Sequence, residues 1–223
     1  MRFLFLVLFF LSFQCSKPTL NNPSDFASDA FQENETILCL TGQSSFCQGA
    51  IPVCTTCRFF STSLTYNGDR GGIAGADAKC MSDAKKPPLP AGAVYKAFLV
   101  DDVNRVACTT ANCATGGNAE HLNWILKPNT NYVRAVDNAT ITTTNSFGIF
   151  SSQTNDAEIS TITGIFSGFQ ASGWTTRMTG GHCNRWMDGT NTPQLSASSS
   201  NQLYIASGGI LCDTSSVILC VEQ

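Results

Sequence analysis

Charge is scarce in this 223-residue sequence: Asp, Glu, Lys and Arg make up 13% of it, and the formal net charge is −3. Thirteen basic residues against sixteen acidic ones leave no positive field for a phosphate backbone, which excludes a nucleic-acid binder. So few charges also exclude a disordered chain or a coiled coil, both of which are rich in them. Histidine is scarcer still, with only His121 and His182. The patterns G-x-S-x-G, H-E-x-x-H, G-x-G-x-x-G and the P-loop are all missing, so no sequence-readable hydrolase, zinc-protease or nucleotide-binding motif is present. The chain reads as not an enzyme and as needing no cofactor. A hydrolase reading would require His121 or His182 in a cleft beside a carboxylate. No apolar run reaches membrane-spanning length either. The longest, Phe3 to Phe13 with Ser12 inside it, covers about 16 Å as a helix, roughly half a bilayer core.

Apolar residues are plentiful, at 43%, enough for one compact domain with a short N-terminal appendage. Cysteine is abundant: eleven residues, a density that belongs to an oxidising compartment. An odd number means that at least one does not pair within the chain. The N-terminus supplies a candidate. Met1-Arg2 followed by the Phe3–Phe13 run reads as a signal peptide over residues 1–14. The chain turns polar directly after Cys15, the arrangement of a bacterial lipobox whose cysteine carries lipid. Gln14 stands where a small residue is usual. The alternative is plain secretion with Cys15 discarded, and ten cysteines remain under either reading. Residues 15–37 are rich in Asn, Ser, Asp and Pro and read as a lipidated flexible tether. Loss of residues 1–14 removes one basic group, Arg2, and no acidic one, so the mature chain carries −4.

Residues 38–57 hold Cys39, Cys47, Cys54 and Cys57 in a small knot. Cys54-Thr55-Thr56-Cys57 has the C-x-x-C spacing of redox and zinc sites, but an extended run follows it where a redox site wants a helix. Two disulfides are expected here, with all three pairings open. Residues 58–223 then read as one α+β domain with few helices and short strands. Strands are expected over Phe59–Tyr66, Val94–Val100 and Val217–Val221. One helix is expected from the Gly71–Gly75 region to about Ala84, with Ile73, Ala76, Cys80 and Ala84 on a stripe, and another over Ala119–Leu126. Cys108 and Cys113, five apart, are expected to form a local bridge.

Four separated segments carry a family resemblance. Gly72-Ile73-Ala74-Gly75-Ala76-Asp77-Ala78-Lys79-Cys80 resembles endostatin's G-I-x-G-A-D-x-x-C, and Tyr95-Lys96-Ala97-Phe98-Leu99 its aromatic-basic-A-F-L strand. Gly173-Trp174-Thr175 with Cys183-Asn184-Arg185-Trp186 resembles its W-x-G…C-x-x-W stretch, and Cys212 through Val217-Ile218-Leu219-Cys220-Val221-Glu222 its closing C…V-L-C-I-E. With the lipobox, the chain is similar to the leptospiral endostatin-like lipoproteins over about residues 58–223. The resemblance implies a disulfide-stapled C-type-lectin-like (endostatin-like) fold, with Cys80 paired to Cys220 and Cys183 to Cys212. It implies an outer-membrane, surface-exposed lipoprotein adhesin whose partners are host extracellular-matrix proteins, plasminogen or complement regulators. The alternative is a structural or periplasmic-facing lipoprotein with no host ligand. Candidate ligand contacts are Trp174, Arg177, Arg185 and Trp186, together with loops in 140–170 and 187–205. Neither the calcium-binding tripeptides of sugar-binding lectins nor endostatin's histidine cluster occurs, so no metal site is expected. A monomer is expected.

Overall fold

Phe59 and Phe60 sit side by side in strand β1 (Thr56–Ser61) and are both buried, because the strand has a core on each face. This alternation organises the computed structural model of the chain, which describes residues 28, 54–151, 165–170, 173–176, 181–190, 193–198 and 208–223. The chain divides into two units, Met1–Ile51 and Pro52–Gln223. The expected signal segment, the tether apart from Ser28, Cys15, Cys39 and Cys47 lie outside the described residues, as does Arg177.

Pro52–Gln223 is a mixed α+β unit built on a five-stranded sheet of order β2-β8-β1-β3-β4. Its strands are β1, β2 (Tyr95–Ala97), β3 (Asn131–Arg134), β4 (Thr140–Thr143) and β8 (Leu219–Glu222). β1 runs parallel to β3 and antiparallel to β8, with Phe59 opposite Val221 and Phe60 opposite Cys220. A second, antiparallel sheet joins β5 (Ile165–Phe166), β6 (Pro193–Ser198) and β7 (Gly208–Leu211). One face of the larger sheet packs Phe59, Tyr132, Phe98, Phe150, Phe169 and Trp174. The other carries Phe60, Tyr95, Ile73, Ala76, Phe166 and Trp186, with the sulfurs of Cys80, Cys183, Cys212 and Cys220.

Helix α1 (Gly72–Ser82) buries Ile73, Ala76 and Cys80, the spacing that places them on one stripe. Gly71 precedes it at φ 74, a left-handed conformation that glycine adopts without steric cost. The helix stops at Ser82, so Ala84 lies beyond it and is exposed. Asp83 leaves the helical region, and its carboxylate accepts from the backbone N–H of Lys85 and of Ser63, both at 2.8 Å. That tie also turns the chain after Ser61, so β1 ends there instead of reaching Tyr66, which keeps only an isolated bridge to Ser216. β2 is shortened for a related reason: Ala97 N–H donates to Asp77 Oδ1 at 2.8 Å, and Tyr95 N–H to Met81 Sδ at 3.0 Å. Side chains of α1 therefore cover this sheet edge.

Four disulfides staple the unit. Cys80–Cys220 joins α1 to β8 across 140 residues, and Cys183–Cys212 nests inside it across 29. In the chain-entropy account these contribute about 5 and about 3.6 kcal/mol. Cys108–Cys113 and Cys54–Cys57 close small loops, worth about 2 kcal/mol each. The helix expected over Ala119–Leu126 does not form. Residues Gly117–Glu120 make one 3₁₀ turn, after which Leu122 bridges Val106 in extended conformation. The Glu120 carboxylate is drawn into the preceding loop, and Ile125 and Leu126 are both buried, a pattern without helical periodicity.

Candidate functional site

The Cys183–Trp186 turn is the unusual piece of backbone. All four residues have positive φ, 50, 47, 58 and 65°, so the turn is left-handed, at a cost of about 1–2 kcal/mol per residue. Burial of Trp186 and the Cys183–Cys212 bond hold it. Gly68 permits its close approach to the loop before α1: a Cβ there would come within 2.6 Å of Cys183 Sγ and 2.4 Å of Asp188 O.

The turn aims Trp186 inward and Arg185 outward. Arg185 is 43% exposed and grips Asp102 in a fork, Nε to Oδ1 at 2.7 Å and Nη2 to Oδ2 at 3.1 Å. The hydrogen bonds to Asp102 raise the Arg185 pKa. Asp102 is presented by a tight loop in which the neighbouring Asp101 carboxylate accepts from the N–H groups of Val103, Asn104 and Arg105. Met187, 58% exposed, extends this surface with a flexible apolar side chain.

His182 lies beneath it, fully buried. Its Nδ1 accepts the Arg185 N–H at 2.8 Å, leaving the proton on Nε2, which is 3.3 Å from Asp102 Oδ1 but out of line for a hydrogen bond. The neighbouring Cys183 sulfur is held in its disulfide, and His182 reaches no hydroxyl among the described residues. His121 places its two ring nitrogens against the carbonyl oxygens of Ala107 and Phe147, tying two loops together.

A second exposed feature is the Thr109–Glu120 loop. The Glu120 carboxylate accepts from six donors: the N–H and Oγ1–H of Thr109, the same two groups of Thr110, and the N–H groups of Thr115 and Gly116, at 2.6–3.2 Å. Led by the hydrogen bond from Thr110, these hold its pKa down at about 2. Glu120 also lies within 4.8 Å of the sulfurs of Cys108 and Cys113. Those sulfurs are bonded to each other, so the trio offers no thiolate to a metal. The loop is thus fixed by a disulfide at one side and a multiply bonded carboxylate at the other.

Of the four residues expected to touch a ligand, two are excluded by burial. Trp174 and Trp186 are both 0% exposed, and their indole N–H groups are taken by Phe150 O at 3.2 Å and Val100 O at 3.0 Å. They are core because each bridges aromatic neighbours, Trp174 touching Phe98, Trp124, Phe150 and Phe169. Arg185 alone of the described candidates faces solvent. Sequence reasoning missed Asp102 and Glu120. Asp102 meets Arg185 across 83 residues, with no local signal to announce the pairing. Residues 140–143, expected within a contact loop, form β4.

Residues 63–203, more than half of the chain, match a family model described as "Protein of unknown function (DUF1554)". The chain belongs to the DUF1554 family. The DUF1554 span begins after β1 and ends before β7, so it holds Cys80 and Cys183 but neither of their partners, Cys220 and Cys212. It does contain the whole Arg185–Asp102 surface and the Glu120 loop. No curated protein matches the chain.

Proposed function

We propose that the protein is a surface-tethered binding module of the endostatin-like, C-type-lectin-like kind, acting by recognition and not by catalysis. The nested disulfides carry this reading. Cys80–Cys220, from first helix to last strand, encloses Cys183–Cys212, the arrangement implied by the resemblance to the leptospiral endostatin-like lipoproteins. The N-terminal run ending at Cys15 and the polar segment after it support export and lipid attachment, with the tether giving reach from an outer membrane. Two pre-organised exposed features support recognition: the Arg185–Asp102–Met187 surface and the Glu120-pinned loop. Loops fixed before binding lose less entropy on contact, which favours affinity. The ligand classes in view are extracellular-matrix proteins, plasminogen and complement regulators.

The test is solid-phase binding of the recombinant chain without residues 1–14 to laminin, fibronectin, plasminogen and a complement regulator at physiological salt. Saturable binding to at least one is expected, with Arg185→Ala weakening it about tenfold if the fork lies central in the contact. Binding no greater than that of an unrelated disulfide-bonded protein would overturn the reading.

A further inference from the structure

Four of the five described arginines have a carboxylate: Arg58 pairs with Glu222, Arg105 with Asp77, Arg134 with Asp137 and Arg185 with Asp102. Arg70 has none among the described residues, although like Arg105 it is 0% exposed. Its side chain is fully buried, and its guanidinium lies over the ring of Phe166 at 4.9 Å and of Trp186 at 5.4 Å. Those contacts attract the positive charge but offer its N–H groups no oxygen acceptor. Nε donates to Asn67 O at 3.2 Å, while Nη1 and Nη2 meet no acceptor among the described residues. Four in-plane N–H bonds are thus left unmatched in a region sealed from solvent, an arrangement that native interiors rarely tolerate.

The surroundings add positive potential. Lys79 Nζ donates to the carbonyl of Arg70 itself at 2.8 Å and stands over the ring of Tyr66 at 5.3 Å. Helix α1 begins two residues on with no side-chain cap, so the positive end of its dipole lies beside Arg70. Nearby carboxylates are engaged elsewhere: Asp69 accepts from Gly71 N–H at 3.2 Å, Asp188 from Thr190 at 2.7 Å, and Asp102 holds Arg185.

We propose that Arg70 holds a small inorganic anion, chloride by charge and size, taken up as the domain folds. The ion accepts from Nη1 and Nη2, while Phe166 and Trp186 wall the guanidinium on one side. A water molecule in that position would accept hydrogen bonds but leave the buried charge uncompensated, and compensation is the larger need. Full burial of the guanidinium favours a small ion over a bulky organic anion. The site is independent of the recognition proposed above: it belongs to the fold's interior.

Bromide, which replaces chloride and scatters anomalously, is the direct probe. Crystals of the full unit grown in sodium bromide are expected to show an anomalous peak within about 3.5 Å of Arg70 Nη1 or Nη2, hydrogen-bonding range widened for a large halide. In solution, the apparent unfolding constant should fall up to tenfold for each tenfold rise in chloride above the dissociation constant. Sodium gluconate at matched ionic strength should give no such gain. Arg70→Met should abolish the chloride response, and Arg70→Lys, which keeps the charge but loses the fork, should weaken it. A bromide map with no anomalous peak at Arg70 overturns the proposal. So does a chloride response equal in wild type and Arg70→Met. Should neither variant fold, the wild-type bromide map decides alone.

Discussion

The two faces of the five-stranded sheet solve the burial problem differently. On one, Phe59, Phe98, Tyr132, Phe150, Phe169 and Trp174 meet edge to face or tilted at 5.3–6.4 Å. Their polar edges are matched there: Trp174 and Trp124 donate to Phe150 O and Gly148 O, and the Tyr132 hydroxyl accepts the Lys127 N–H at 2.7 Å. On the other, two disulfides hold α1 and the left-handed turn against the sheet, and the polar groups are not all matched. Among the described residues, Arg70 lacks acceptors for two nitrogens and the Tyr95 hydroxyl has no partner, while burial pushes the Arg70 pKa down to about 9 and the Tyr95 pKa up to about 12. Aromatic packing with matched edges maintains itself, whereas covalent staples let a face keep strained backbone and a buried cation.

This contrast can be broken from either side. The largest loss is expected from Cys80→Ala/Cys220→Ala, about 5 kcal/mol from the long loop alone, with the left-handed turn and α1 losing protection first. Hydrogen exchange and denaturant unfolding read both; uniform loss of protection across the two faces would erase the distinction. Trp174→Ala should cost about 3–5 kcal/mol, the usual range for a buried tryptophan. Its loss should leave all four described disulfides formed, as measured by free thiols and urea titration. If Trp174→Ala exposed thiols, the aromatic face would be shown to support the stapled one.

The smallest effect is confined to acid. Glu120 has a folded pKa held below its ordinary value of 4.5, at about 2. Its contribution to stability is therefore complete above about pH 4.5 and lost as pH falls towards 2. Glu120→Gln should remove that slope: the difference in urea midpoint between wild type and variant should shrink steadily over this interval. A constant difference at all pH values would mean that the carboxylate does not titrate with the loop.

Much of the scaffold was legible. Ile73, Ala76 and Cys80 form the buried stripe of α1, and Leu219 to Val221 lie in an interior strand, because hydrophobic periodicity is a local property. Boundaries were less legible. β1 stops at Ser61 because Asp83, 22 residues away, ties down Ser63, and Ala119–Leu126 does not coil because Glu120 is recruited by backbone N–H groups behind it. The candidate site was the least legible. Trp174, Trp186 and Arg185 lie within thirteen residues of one another, yet only Arg185 faces solvent.

Sequence alone determined that this is a cysteine-rich, weakly charged chain with an apolar run near its N-terminus, one good helix and a scatter of short strands. Those traits are set by composition and by neighbours within a turn or two. The tertiary structure decided which charges meet. Arg58 finds Glu222 across 164 residues, Arg105 finds Asp77 across 28 and Arg185 finds Asp102 across 83, while Arg70 finds two aromatic rings and, among the described residues, no carboxylate. Chain crossings set those partnerships, and no local propensity encodes them.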